Sequence, residues 1–167
     1  MKAISRREIA TTAQWAARGV SAERLRQLVR TGDLVPLRRG VYARADSLAS
    51  SADDPARVHA LRVAAALLPA RALACASHQS AAILHGLDLL ERPQESLVTL
   101  TRPPHVRGSR AGGNDLKVHA ATLSPGHVTK HYGLPVTSVA RTVIDLARAL
   151  PLQHGQGSQH NPNQSSR

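Results

Sequence analysis

Aromatic side chains are scarce in this chain. Trp15, Tyr42 and Tyr132 are the only ones among 167 residues, and Phe is absent. Readers of single-stranded nucleic acid that stack bases on exposed rings, such as RRM and OB platforms, are thereby excluded. One cysteine, Cys75, rules out a disulfide framework and a Cys-rich zinc finger. No apolar run is long enough to cross a bilayer: the longest, Val63 to Ala76, is interrupted by Pro69 and Arg71. The N-terminus turns charged at Arg6-Arg7-Glu8, where a secretory signal needs its apolar stretch. A cytoplasmic protein that engages no membrane is expected. Negative charge is also in short supply, with 11 acidic against 22 basic residues and a net charge of +11. A polyanionic partner follows from that imbalance, and in a cell this means nucleic acid.

The charge is unevenly spread. Residues 1–44 hold ten cations against Glu8, Glu23 and Asp33, a net +7. Nine of the ten are Arg, whose planar fork binds phosphate and base edges in pairs of hydrogen bonds.

The pattern along this segment reads helix, turn, helix, hairpin. Ile9, Ala10, Ala13, Ala16 and Ala17 fall at helical spacing over Arg6–Arg18, with Gly19 closing the helix. Ser21 is a good N-cap for a second helix, Ala22 to Thr31, stopped by Gly32. Its apolar face carries Ala22, Leu25, Leu28 and Val29. Glu23, Arg24, Gln27 and Arg30 lie opposite, with Arg26 at the border. Two short strands follow, Leu34–Leu37 and Gly40–Ala43, joined by Arg38-Arg39, and Pro36 places the first at a sheet edge. This is the order of a winged helix-turn-helix, which offers its second helix to the major groove of double-stranded DNA. Arg24, Gln27 and Arg30 are the expected base readers, and Arg26, Arg38 and Arg39 the expected phosphate contacts.

The expected organisation is α+β. A winged helix-turn-helix spans 1–45, a polar linker 46–55, a small mixed α/β domain 56–150, and a disordered tail 151–167. The linker is small and acidic, and Pro55 suits the first turn of a helix running to about Leu68 with Val58, Leu61, Ala65 and Leu68 inward. Leu73–Ala76 reads as a short buried run, followed by a helix from Ser77 or His78 to Gly86. Strands are expected at Ser96–Thr101, Leu116–Ala120 and Leu134–Val136, with a basic loop Arg102–Asn114 between the first two. A last helix, Val139–Leu150, is capped by Thr137 or Ser138. The tail has almost nothing to bury.

Three ordered blocks, LRQLVRTGDLVPLRRGVYAR (Leu25–Arg44), SHQSAAILHGL (Ser77–Leu87) and GLPVTSVARTVIDLARAL (Gly133–Leu150), together resemble the AbiEi-like antitoxins of type IV toxin–antitoxin systems, in their actinobacterial form. The resemblance spans about residues 6–150. It implies a transcriptional regulator that represses its own operon by binding operator DNA. It also implies a cognate toxin of nucleotidyltransferase type as a second partner. Such proteins usually continue past the last block, often into a nuclease-like domain, so a truncated second domain is expected. Two alternatives compete: a protein-binding antitoxin without specific DNA binding, and the remnant of a nuclease-fused protein.

Enzymatic chemistry finds no foothold in the pattern. His127 and His131 stand four apart and His78 and His85 seven apart, but neither pair has a Cys or carboxylate nearby to complete a metal site. Asp115-Leu116-Lys117 matches half of a restriction-type nuclease core, without a second carboxylate in a persuasive context. Ser77 reads as an N-cap, and there is no nucleophile elbow or Walker-type loop. No catalytic residue, metal or cofactor is expected.

Overall fold

The computed structural model describes residues 2–69, 74–89, 96–104 and 114–149. Most of the basic loop 102–114 and all of the tail 151–167 lie outside the described residues. Within them the chain is a mixed α/β protein with six helices and two sheets.

The first sheet has the order β1-β3-β2, from β1 (Ile9–Thr11), β2 (Leu34–Arg38) and β3 (Val41–Arg44). The helix expected over Arg6–Arg18 is therefore corrected: its first part is β1, and only Thr12–Ala16 forms helix α1. Two facts decide this. Ile9 and Ala10 are buried by antiparallel pairing with Ala43 and Tyr42. Thr11 and Gln14 form a reciprocal capping box, which starts the helix at Thr12, six residues later than expected. Helix α2 (Ala22–Arg30) begins at Ser21, whose hydroxyl accepts the Arg24 N–H at 3.1 Å, and Gly32 ends it at φ +80°. Pro36 sits on the edge strand β2 as expected, because no neighbour there requires its missing N–H.

The expected linker 46–55 is not an unstructured spacer. Helix α3 (Ala45–Ala49) opens it, and Ser47 and Ser51 within it are buried. Small polar side chains can pack here because they bond locally: the Ser51 hydroxyl donates to the Ser47 carbonyl at 2.7 Å and accepts Arg57 Nε at 3.1 Å. Asp54 then caps α4 (Pro55–Leu67).

Helix α4 departs from the one-sided stripe expected of it. His59, Ala60, Leu61 and Val63 through Ala66 are all buried, because α4 lies between the two sheets. Ala64 and Ala65 pack on Ile9 and Val41 of the first sheet, while Ala60, Val63 and Ala66 pack on Ala76, Val98, Leu100 and Val136 of the second. Alanine lets both sheets approach one helix closely, which suits a core built with so few rings.

The second sheet has the order β6-β5-β4-β8-β7. Its strands are β4 (Cys75–Ala76), β5 (Val98–Arg102), β6 (Leu116–Ala120), β7 (Val128–His131) and β8 (Leu134–Thr137). Strand β7 was not expected. It forms a hairpin with β8 through Tyr132-Gly133, both at positive φ, the two-residue turn that matches strand twist. Helix α5 (His78–His85) follows β4, and α6 (Val139–Ala149) follows β8.

The N-terminal segment ties the halves together. The Ile4 N–H donates to the Tyr132 carbonyl at 2.8 Å, and Arg57 donates to the Lys2 carbonyl at 2.7 Å and pairs with Glu8. No helix of the described residues is long and apolar enough to cross a membrane.

Candidate nucleic-acid interface

Helix α2 is held from behind by Leu25, which packs with Trp15, Ala10 and Leu34 while Leu28 and Val29 flank it. That anchoring leaves Arg24, Arg26, Gln27 and Arg30 exposed on the outer surface. Arg24 donates to Gln27 Oε1 at 2.8 Å, so the two form one polar unit with the Gln27 amide N–H groups still available. Arg26 makes a 3.3 Å pair with Glu23, both side chains more than 70% exposed, which is worth well under ~1 kcal/mol and yields readily to a phosphate. An open groove of about 540 Å³ separates α2 from the hairpin, lined by Arg26, Arg30, Pro36 and Tyr42 among others.

The hairpin turn holds Arg39 exposed beside Gly40, whose φ is +73°. Arg38 goes elsewhere. Its guanidinium reaches Asp115 at 2.9 Å and its side chain is only 13% exposed. Of the two arginines expected at this tip, Arg39 is presented outward and Arg38 braces the hairpin against the start of β6. The same contact occupies Asp115 of the half nuclease motif. Arg6, Arg7, Arg18 and Arg44 line a separate surface cavity around Trp15, so the positive charge of this segment falls on two patches. Arg18 lies 4.9 Å over the Trp15 ring.

A second polar concentration escaped the sequence reading. Alternation along the strands puts Cys75, Thr101 and His119 on the sheet face turned away from Ala76, Leu100 and Val136. Ser77 occupies the N-cap of α5 as expected, but its hydroxyl does not cap. It accepts from Thr101 Oγ1 at 2.8 Å and lies 3.1 Å from His78 Nδ1. His78 has φ +49°, an unusual conformation for a residue with a Cβ, and its ring stacks on His119 at 3.8 Å. On α6, Arg141 Nε donates to Asp145 Oδ1 at 2.8 Å, and Thr142 bonds to Thr137 at 2.8 Å.

Of the histidines paired by spacing, His78 and His85 stand at the two ends of α5. His127 ends a 3-10 turn (Pro125–His127) just before β7, and His131 ends β7. His85 Nε2 donates to the Thr137 carbonyl at 2.8 Å, with its ring edge-on to His131. Among the described residues no group of three or more His, Cys, Asp or Glu is placed to hold a metal ion.

Burial, reinforced by the neighbouring His119 and Lys117, pushes the His78 pKa down to about 4 from an ordinary 6.5, and burial lowers His119 and His131 as well. Burial also drives the Cys75 thiol up to about 11, so it is an inert thiol at neutral pH. The histidine shifts set a pH dependence. Between pH 6.5 and 4 the unfolded chain binds a proton at His78 that the folded chain refuses, so stability falls as the pH falls through this window. His119 and His131, lowered by burial as well, act with the same sign. Denaturant midpoints measured at pH 7 and about pH 4.5 should therefore differ clearly, and His78→Gln should flatten the difference. Equal midpoints in the unaltered chain would contradict the burial of these rings.

With this geometry in place, comparison with known families gives a match at the N-terminus. Residues 1–45 match the family described as "Transcriptional regulator, AbiEi antitoxin", in agreement with the resemblance drawn from the sequence blocks. The match covers β1, α1, α2 and the β2–β3 hairpin. No curated protein matches the chain.

Proposed function

We propose that the chain is a DNA-binding transcriptional regulator of the antitoxin kind, whose residues 1–45 act as a winged helix-turn-helix on operator DNA. The observation that carries this reading is α2: one side is locked on Trp15 and Leu34, and the other offers Arg24, Gln27, Arg26 and Arg30 to solvent. A helix so mounted can enter the major groove, where Arg24, Gln27 and Arg30 meet base edges and Arg26 meets phosphate. Arg39 at the hairpin tip reaches the backbone beside it, and Arg38 holds the hairpin at its angle through Asp115. In this reading the protein works in the cytoplasm, represses its own operon in a type IV toxin–antitoxin system, and residues 56–150 form the antitoxin-type domain that meets a nucleotidyltransferase-like toxin.

A second reading, a protein-binding antitoxin, is favoured by α6. Val139, Val143 and Ile144 are each about half exposed on its outer face, an apolar stripe that suits a protein partner better than a polyanion.

The salt dependence of duplex binding tests the electrostatic part of the proposal. Four cations brought against the duplex, Arg26 and Arg39 on phosphate and Arg24 and Arg30 in the groove, should give a slope of log K against log salt of roughly −3 to −4. A slope shallower than about −1.5 would assign these arginines to ordinary solvated surface.

A further inference from the structure

Four arginines of the N-terminal segment lie off the α2 surface. Arg6, Arg7, Arg18 and Arg44 line an open hollow of about 550 Å³ together with Trp15 and Asp46. Asp46 is the one carboxylate in that lining, and Arg44 already covers both of its oxygens, at 3.1 and 2.7 Å. Arg18 is fixed by its place 4.9 Å over the Trp15 ring and by donating to the Arg6 carbonyl at 2.9 Å. Arg6 and Arg7 are exposed, and neither guanidinium meets an acceptor among the described residues. A second hollow of about 670 Å³ shares Arg7, Arg44 and Asp46 and adds Lys2 and Ser50, so the two join as one trough. The other acids along it are engaged: Glu8 pairs with Arg57, and Asp54 accepts the Arg57 backbone N–H and the Tyr132 hydroxyl. The unpaired charge left in the trough is positive.

The trough shares a face of the first sheet with α2. Along β3, Val41 packs towards α4 while Tyr42 packs with the anchor of α2, and strand alternation puts Arg44 on the Tyr42 side. Arg18 stands just before Ser21, the N-cap of α2, so the trough opens beside the N-terminal end of that helix. Arg39 lies at the hairpin turn, towards the other end of β3. The extended chain from Gly40 to Arg44 spans about 13 Å, close to the ~12 Å width of a B-DNA major groove.

A helix lying in the major groove has a phosphate backbone on each side, and the hairpin tip accounts for only one of them. We propose that the trough of Arg6, Arg7, Arg18 and Arg44 is a second phosphate clamp, which holds the backbone across the groove from the strand met by Arg39. This inference rests on the DNA reading of α2 and widens its footprint. Exposed guanidinium forks without partners suit the paired oxygens of a phosphodiester. Such contacts fix the register of the protein on the duplex and carry no sequence information, so the clamp adds affinity and leaves the reading to α2.

Duplex binding across a salt series tests this, with the full chain and a double variant, Arg6→Ala with Arg7→Ala. Both side chains are exposed and unpaired, so the variant should keep the Trp15 emission and the melting temperature of the unaltered chain. The clamp adds cations to the four already counted, so the unaltered chain should show a slope of log K against log salt of roughly −5 to −6. The double variant should be shallower by about 1.8, with the ratio of affinities for the upstream and scrambled duplexes unchanged. In ethylation interference, phosphates on the strand across the groove should matter to the unaltered chain and cease to matter to the variant. A slope of only about −3 to −4 in the unaltered chain, or the same slope in both proteins, would overturn the clamp and leave the α2 reading standing if the upstream duplex is still preferred. Equal affinity of the unaltered chain for both duplexes would remove the α2 reading and the clamp with it. Poly-glutamate binding that the double variant loses, beside an unchanged DNA slope, would give the trough to an acidic protein segment and also overturn the proposal.

Discussion

Ile9→Ala is expected to lower the free energy of unfolding by about 2–5 kcal/mol, and to do so in one cooperative transition for the whole chain. Ile9 is 2% exposed and belongs to the N-terminal sheet, yet it packs with Ala64 and Ala65 of α4 and is flanked by Ile4, Leu68 and Leu134. Removing three carbons there leaves a cavity whose walls come from both halves of the molecule. Alanine neighbours cannot extend side chains into the gap, so relaxation recovers little of the loss. The Ile4–Tyr132 hydrogen bond, the Glu8–Arg57 pair and the Arg38–Asp115 bridge join the same two halves. Far-ultraviolet circular dichroism and Trp15 fluorescence should therefore report one shared midpoint, shifted together by the substitution. Two separate midpoints, with only the Trp15 signal displaced, would mean that the halves unfold independently.

The parts of this architecture that were legible in the sequence are those set by neighbours along the chain. Ser21 and Gly32 bracket α2 within one residue at each end because caps act locally. The hairpin was readable from Pro36, the Arg38-Arg39 pair and Gly40. Strand β1 was not, since Ile9, Ala10 and Ala13 fit a helical stripe as well as they fit an edge strand. The choice is made by Tyr42 and Ala43, some thirty residues away, together with the Thr11–Gln14 capping box. The two-sided burial of α4 was hidden for a similar reason: a run of alanines reads the same whether one sheet or two lies against it. In the second sheet the polar cluster draws on Ser77, Thr101, His119 and Asp145, residues that only the strand order β6-β5-β4-β8 brings together. Arg38 shows the limit at the interface itself. Its place beside Arg39 suggests a second phosphate contact, and nothing local announces Asp115 as its partner.

Gln27→Ala is expected to separate reading from mere attraction. Gln27 sits mid-helix on the exposed side of α2, its carbonyl engaged by Arg24 and its amide N–H groups free to donate to a base edge. Losing one such base contact costs about 1–3 kcal/mol on the correct site, a loss of roughly five- to 150-fold, and almost nothing on unrelated sequence. Arg39→Ala removes a backbone contact in the same account and should weaken both duplexes alike, with a shallower salt dependence.

The most direct measurement is a fluorescence-anisotropy titration of the unaltered chain and the Gln27→Ala variant. Each is titrated against the duplex upstream of the protein's own gene and against a scrambled duplex of equal length. The expected result is tight binding of the upstream duplex by the unaltered chain, a five-fold or greater loss there for Gln27→Ala, and near-equal weak binding of the scrambled duplex by both. Equal affinity of the unaltered chain for the two duplexes, or an equal loss on both for the variant, would contradict the assignment of α2 to the major groove.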